Sequence, residues 1–147
     1  MNILISACIL GIHCRYDGSE VVNDFIISHI GKHNFIPICP EQLGGLKTPR
    51  EPSEILRNAV LSKSGEDITQ NYIKGAAETL KIAKMLDCKY AILKDRSPSC
   101  GAGIIYDGTF SGKRIAGNGI TAELLIKNGI TVILESQAES CDFLWQK

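Results

Sequence analysis

Four short apolar runs punctuate the chain, at residues 2–6 (Asn-Ile-Leu-Ile-Ser), 35–39 (Phe-Ile-Pro-Ile-Cys), 90–93 (Tyr-Ala-Ile-Leu) and 130–134 (Ile-Thr-Val-Ile-Leu). Runs of this length, bounded by turn formers, suit strands buried on both faces of a parallel sheet. Pro37 inside the second run places that strand near an edge, because proline cannot donate to a ladder. Helical spacing lies between the runs. Val21, Val22, Phe25, Ile26, His29 and Ile30 predict one helix up to Gly31. Ile68, Tyr72, Ile73, Ala76, Ala77, Leu80, Ala83 and Leu86 mark one face of a longer helix, with Asp67 and Gln70 resembling a capping box. Thr121 is expected to cap a third helix that runs through Lys127 and stops at Gly129. Pro40, Gly44, Gly45, Pro49 and Pro52 crowd the stretch 40–53, which predicts a long shaped loop. Loops of that kind usually carry function. Asp107-Gly108 sits between two β-prone runs and predicts a small hairpin.

Strands alternating with helices imply an α/β fold, a small three-layer Rossmann-like domain. Its expected core is a short parallel sheet of about four strands, ordered 2-1-3-4. The chain has 147 residues, 44% hydrophobic, and is read as a single domain over 1–147. A chain of this length buries roughly 68–70% of its unfolded surface, so it needs no disulfide staples. Sixteen basic residues balance sixteen acidic ones, and no long run of like charge occurs, which argues against a nucleic-acid partner. No stretch approaches the roughly 18 apolar residues of a membrane span, and the opening Met-Asn-Ile-Leu-Ile lacks the cationic start of a signal peptide. The expected location is cytoplasmic, with no membrane partner. Six cysteines are many for a reducing compartment, so their positions matter.

Cys8, Cys39 and Cys100 each follow a predicted strand. Open α/β sheets bind ligands beyond the carboxyl ends of their strands, so these three thiols are expected to meet at one edge. Thiolates are soft ligands that favour zinc or iron-sulfur clusters. Structural zinc usually draws close cysteine pairs and a fourth ligand, and no C-x-x-C pair is present. A cubane held by three cysteines leaves one iron open to act as a Lewis acid. Burial without chemistry is the remaining reading of the three thiols. Cys14 ranks fourth, Cys88 reads as a small buried hydrophobe, and Cys141 has no expected role. Glu41, two residues beyond Cys39, is the candidate general acid/base. Ser97 and Ser99 flank Pro98 before Cys100 and are candidates to hydrogen-bond a ligand. Arg15, Asp17, Arg50, Lys94 and Arg96 bring mixed charge to the same rim, either to hold a polar heterocycle or to order loops. Gly117-Asn-Gly119 precedes a helix and is a weak candidate to present amides to an anion or a carbonyl oxygen. His13, His29 and His33 share no spacing with a Ser, Asp or Cys that would suggest a triad.

Six ordered blocks are similar to the thiouracil desulfurase family: Ser6-Ala-Cys-Ile-Leu-Gly11, Cys14-Arg-Tyr-Asp-Gly18, the stretch from Cys39-Pro-Glu-Gln-Leu-Gly-Gly-Leu46 to Thr48-Pro-Arg50, Arg96-Ser-Pro-Ser-Cys-Gly101, Ile105-Tyr-Asp-Gly-Thr-Phe110 and Gly119-Ile-Thr-Ala122. The resemblance covers nearly the whole chain. It implies an oxygen-sensitive 4Fe-4S cluster on Cys8, Cys39 and Cys100, with one iron open to the sulfur of a thiolated pyrimidine. The implied reaction is a non-redox desulfuration to the oxo form with sulfide release, with Glu41 handling protons and Ser97 or Ser99 holding the substrate. Two other readings stand beside it. One is a metal-free enzyme with Cys39 or Cys100 as nucleophile, and the other a non-catalytic zinc or iron-sulfur module. A free small molecule is favoured over thiolated transfer RNA by the neutral charge, although Arg15, Arg50 and Arg96 leave room for a phosphate on the substrate.

Overall fold

Ile3, Leu4 and Ile5 are wholly buried, and strand alternation sends Ile3 and Ile5 to one side of the sheet and Leu4 to the other. An unbroken apolar run is what such a doubly covered strand requires. The computed structural model describes residues 1–146. Its first half contains β1 (Asn2–Ser6), α1 (Asp24–Ser28), β2 (Asn34–Ile38), α2 (Pro40–Leu43), β3 (Ser53–Leu56), β4 (Ala59–Ser62) and α3 (Thr69–Met85). The second half contains β5 (Tyr90–Leu93), β6 (Ile104–Tyr106), β7 (Arg114–Ala116), α4 (Ile120–Lys127), β8 (Thr131–Leu134) and α5 (Asp142–Trp145), with a short 3-10 helix over Glu135–Ser140.

Four strands form one parallel sheet ordered β2-β1-β5-β8, the 2-1-3-4 order expected of the four apolar runs. Ile5 lies opposite Pro37 on one side and Ile92 on the other. Pro37 thus sits on an edge strand, as its missing N–H demands. Ile3, Ile5, Ile92 and Ile133 pack with Ile26 of α1, with Ala138 of the 3-10 helix and with Leu144 of α5. Leu4, Ala91 and Leu93 pack with Ala83 of α3 and with Ala122 and Leu125 of α4. These are the two outer layers. Each fully buried Ile or Leu contributes roughly 1.5–3 kcal/mol, so the sheet and both helical layers form together. Among the described residues no helix is long and apolar enough to cross a membrane.

Several local expectations are corrected. The first helix spans only Asp24–Ser28, because the amides of Val21 and Asn23 donate to Cys8 and Ile9 carbonyls and hold that segment extended. Asn23, rather than an upstream residue, caps it by accepting from the Ile26 amide. Asp67 accepts from the Thr69 amide and hydroxyl just before α3, so it shapes the entry to the helix without forming a capping box. The stretch 40–53 opens with the short helix α2 before turning irregular. The β3–β4 hairpin had no Asn-Gly signal; its turn residues Arg57 and Asn58 both take left-handed backbone, with φ of 49° and 67°. The second hairpin, β6–β7, is where Asp107-Gly108 placed it, yet the connection runs over residues 107–113 rather than through a two-residue turn. Thr121 does not cap α4; Gly119 holds that position and Thr121 is fully buried.

One close approach carries the fold to the site. A Cβ on Gly75 in α3 would lie 1.9 Å from the Pro40 carbonyl oxygen, and one on Gly44 would lie 2.0 Å from the Asn71 carbonyl oxygen. The backbones of α2 and α3 therefore touch, with the Asn71 amide donating to Gly44 (3.0 Å). Cys39 stands at the cap of α2 and Glu41 rides on it. Gly75→Ala is expected to destabilise by about 1–3 kcal/mol in urea unfolding, as overpacking does. The sign is diagnostic, since the same change in an unpacked helix interior stabilises by roughly 0.5–1 kcal/mol.

Candidate active site

Two of the three strand-following cysteines, Cys8 and Cys39, sit within two residues of a strand end. Cys8 lies two residues past β1 on a 3-10 turn over Ala7–Leu10, which Gly11 ends with φ 94°. Its carbonyl accepts from Gly11 and Val21, so the turn is held from both sides. Cys39 follows β2 directly, with Pro40 at the first position of α2 and the Leu43 amide on its carbonyl. Cys100 ends a turn after β5, in which the Ser97 hydroxyl accepts the amides of Ser99 and Cys100, each at 3.1 Å. These placements follow from the topology, because β1, β2 and β5 are adjacent and parallel and present their carboxyl ends together.

All three thiols line one cavity of about 440 Å³, together with Cys14, Glu41 and Ser97. The volume lies in the range of ordinary small-molecule sites, roughly 300–1,000 Å³. Cys14 is 2% exposed and lies beside the thiols of both Cys8 and Cys39, and the Cys39 thiol donates to the Cys14 carbonyl at 3.7 Å. The neighbouring Cys14 thiol chiefly holds the Cys8 thiol below its ordinary range and brings Cys39 down to about 7, whereas Cys14, set between the two, is itself pushed far up. Cys100 is pushed up to about 12 by complete burial, with the Ser6 hydroxyl opposing the shift. Cys88 is a buried apolar residue away from this group, packed with Leu4, Ala83 and Ala91. Cys141 packs against the opposite face of the sheet.

Glu41 pairs with Arg50, Nε to Oε1 at 3.0 Å, and both side chains are mostly buried. Tyr72 of α3 is 1% exposed, hydrogen-bonds to Ser53 and stands beside Glu41, and its burial pushes the phenol upward so that it stays protonated. Ser53 lines the cavity; neither it nor Tyr72 was singled out by spacing, since Tyr72 reads as one more core residue of α3. Tyr16, Tyr106 and Phe110 supply aromatic wall. Glu54 holds the Phe110 loop in place by accepting the amides of Gly108 (3.0 Å) and Phe110 (3.1 Å).

Ser97 and Ser99 part company. Ser97 lines the cavity, whereas Ser99 is 1% exposed and bonds Thr121 Oγ1 at 3.1 Å. The amides at the start of α4 are likewise engaged. Those of Ile120, Thr121 and Ala122 donate to the Pro98 and Ser99 carbonyls, and that of Gly119 donates to Gly101. Gly117-Asn-Gly119 therefore presents no free Gly117 or Gly119 amide to an anion; it packs so closely that a Cβ on Gly119 would meet Ser99 at 2.5 Å. The helix instead clamps the turn that carries Cys100.

On the rim, Lys94 pairs with Glu135 and Arg50 with Glu41. Arg15 bonds Ser19 and lies 5.7 Å from the centre of the Tyr16 ring, and Arg96 takes left-handed backbone at φ 61°. Asp17 is outside the cavity lining and accepts from Ser19 in a local turn. His13 bonds the Gly18 carbonyl, His29 the Phe25 carbonyl, and His33 the Leu144 carbonyl, all away from the thiols. Among the described residues no group of three or more His, Cys, Asp or Glu forms a cage for a metal ion.

A family model described as 2-thiouracil desulfurase matches residues 3–137. The chain is 46% identical over 145 residues to YbbK of Bacillus subtilis strain 168, described as an uncharacterized protein, covering 92% of this chain and 96% of that one. Among solved structures it is similar to a 4Fe-4S-dependent thiouracil desulfidase, TudS, with a TM-score of 0.90 and 38% identity, over 97% of this chain and 95% of that one.

Proposed function

The chain belongs to the 2-thiouracil desulfurase family, and from that premise we propose that it replaces the sulfur of a thiolated pyrimidine by oxygen and releases sulfide, using a 4Fe-4S cluster held by Cys8, Cys39 and Cys100. The observation that carries this reading is the gathering of those thiols, with Glu41 and Ser97, around one cavity. The donor set fits the group. Thiolates are the ligands iron-sulfur clusters take, and Cys8 and Cys39 already sit below the ordinary thiol range. Thiols brought from three separate strand ends to one cavity suit a multi-iron group. Held by three cysteines, the cluster supplies a Lewis-acidic iron with an open position for a soft thiocarbonyl sulfur.

The remaining work falls to the chain. Tyr16, Tyr106 and Phe110 offer apolar walls to a planar heterocycle. The Ser97 oxygen accepts two amide hydrogens, so its own proton is left to donate to a substrate oxygen or nitrogen. Glu41 takes a proton from the attacking water and returns it to the departing sulfur. The net change is C=S plus water giving C=O plus hydrogen sulfide, with no change of redox state. Arg15 and Arg96 remain on the rim without an ion pair among the described residues, where a substrate phosphate would be met.

The test is iron, acid-labile sulfide and zinc per chain on anaerobically isolated protein, followed by sulfide release from 2- and 4-thiouracil and their nucleotides. About four irons with matching sulfide, and turnover that air abolishes, are expected. Full zinc occupancy, or turnover by metal-free protein, would overturn the reading in favour of a structural module or a cysteine nucleophile. Ser97→Ala is expected to lower kcat/KM roughly 10-fold or more with the cluster retained. Ser99→Ala should instead cost about 1 kcal/mol of stability and leave turnover within about two-fold, as for a buried core hydrogen bond. Equal kinetic effects from the two would show that Ser97 has no special role.

A further inference from the structure

Arginine beside a carboxylate normally grips both oxygens with the paired N–H groups of one edge. Arg50 does not. Its Nε donates to Glu41 Oε1 at 3.0 Å, but the neighbouring Nη2 is turned to the Cys14 carbonyl at 2.8 Å. Nη1 donates to the Lys47 carbonyl (3.2 Å) and to Thr48 Oγ1 (2.9 Å), and the Arg50 amide donates to the Tyr16 carbonyl (2.7 Å). One guanidinium, 7% exposed, therefore ties together α2, the 47–50 loop and the 14–16 loop. Four of its five N–H groups are engaged, which leaves little for a substrate anion. Among the described residues Glu41 Oε2 takes no hydrogen bond of ordinary geometry, with only the Tyr72 hydroxyl close beside the carboxylate, and Glu41 lines the cavity.

We propose that Arg50 is a positioning residue for the reaction: by gripping Glu41 through Nε alone it directs Oε2 at the reacting atoms, and by its bond to Cys14 it sets that carboxylate relative to the thiol-bearing loop. This rests on the desulfuration reading. Lysine is no substitute, because one ammonium cannot span Oε1, two carbonyls and a hydroxyl in a plane. Arg50→Lys, isolated anaerobically, is expected to keep about four irons per chain and a KM within about three-fold while kcat falls roughly 10- to 100-fold, the effect of a small misplacement of a catalytic group. Added methylguanidinium should restore part of kcat to Arg50→Ala. Metal-free Arg50→Lys should show faster amide hydrogen exchange confined to residues 12–18 and 41–50.

A raised KM with kcat intact would overturn the inference in favour of substrate binding by Arg50. Loss of kcat in proportion to lost iron, with exchange faster throughout, would reduce the residue to a structural part. Wild-type protein that holds its cluster yet releases no sulfide would overturn the underlying reading. A working wild type beside an Arg50→Lys enzyme of full kcat would overturn this inference alone.

Discussion

Cys39→Ala protein, isolated without oxygen, is expected to carry almost no iron or labile sulfide and to release no sulfide from a thiolated pyrimidine. A rate loss of roughly 10³-fold or more, about 4 kcal/mol of barrier, is the scale to look for. The expectation follows from position. Cys39 stands at the junction of β2 and α2, partly buried at the cavity, with a thiol brought down to about 7 chiefly by the neighbouring Cys14 thiol and assisted by the nearby Arg50 cation. Cys14→Ser is the counterpart. Cys14 lies beside Cys8 and Cys39 and is pushed far above the thiol range, so it stays a neutral neighbour of the ligands, and serine should preserve that polar neighbour and most of the iron. Iron and sulfide assays with the visible absorption of the anaerobic protein separate the two variants. If Cys14→Ser loses iron as completely as Cys39→Ala, four cysteines hold the group and no iron is open to substrate.

Glu41→Gln carries the second large effect. Glutamine keeps an oxygen to accept from Arg50 Nε, so the hydrogen-bonded frame of α2 and the 47–50 loop is retained. It cannot carry a proton between water and leaving sulfur. A fall in kcat of roughly 10²- to 10⁴-fold, with iron content and KM near those of the wild type, is expected from the loss of a general acid/base. Glu41→Ala is the poorer test, because it strands a mostly buried guanidinium and would cost about 3–5 kcal/mol of stability. Single-turnover sulfide release measures the chemical step directly. A Glu41→Gln enzyme with full kcat would remove this residue from the mechanism and turn attention to the neighbouring Tyr72 and Ser53 hydroxyls.

The four sheet strands were legible because each is a contiguous apolar run, and burial on both faces leaves that mark whatever the neighbours are. Helix α3 was legible by its periodic face, with Tyr72, Ala76 and Ala83 among its buried positions. The β3–β4 hairpin was not, because Arg57 and Asn58 adopt left-handed backbone without the glycine that usually announces such a turn. Thr121 looks like a cap along the chain. In space it is a core hydroxyl paired with Ser99, and Gly119 is the cap because nothing larger fits against the Ser99 backbone.

The candidate site divides along the same line. Convergence of Cys8, Cys39 and Cys100 could be argued from the chain alone, since parallel strands bring successive strand ends to one edge. Choosing between Ser97 and Ser99 could not, because residues two apart in a turn differ only in which way the turn faces. Nor could the place of Arg50, nine residues from Glu41 and thirty-six from the Cys14 carbonyl it binds. Local order, strand identity and the chemistry of single residues are properties of short sequence, decided by burial and backbone preference. Which hydroxyl faces the cavity, which cation is already paired and which thiols stand side by side are decided by contacts between distant segments, and only the folded chain brings those together.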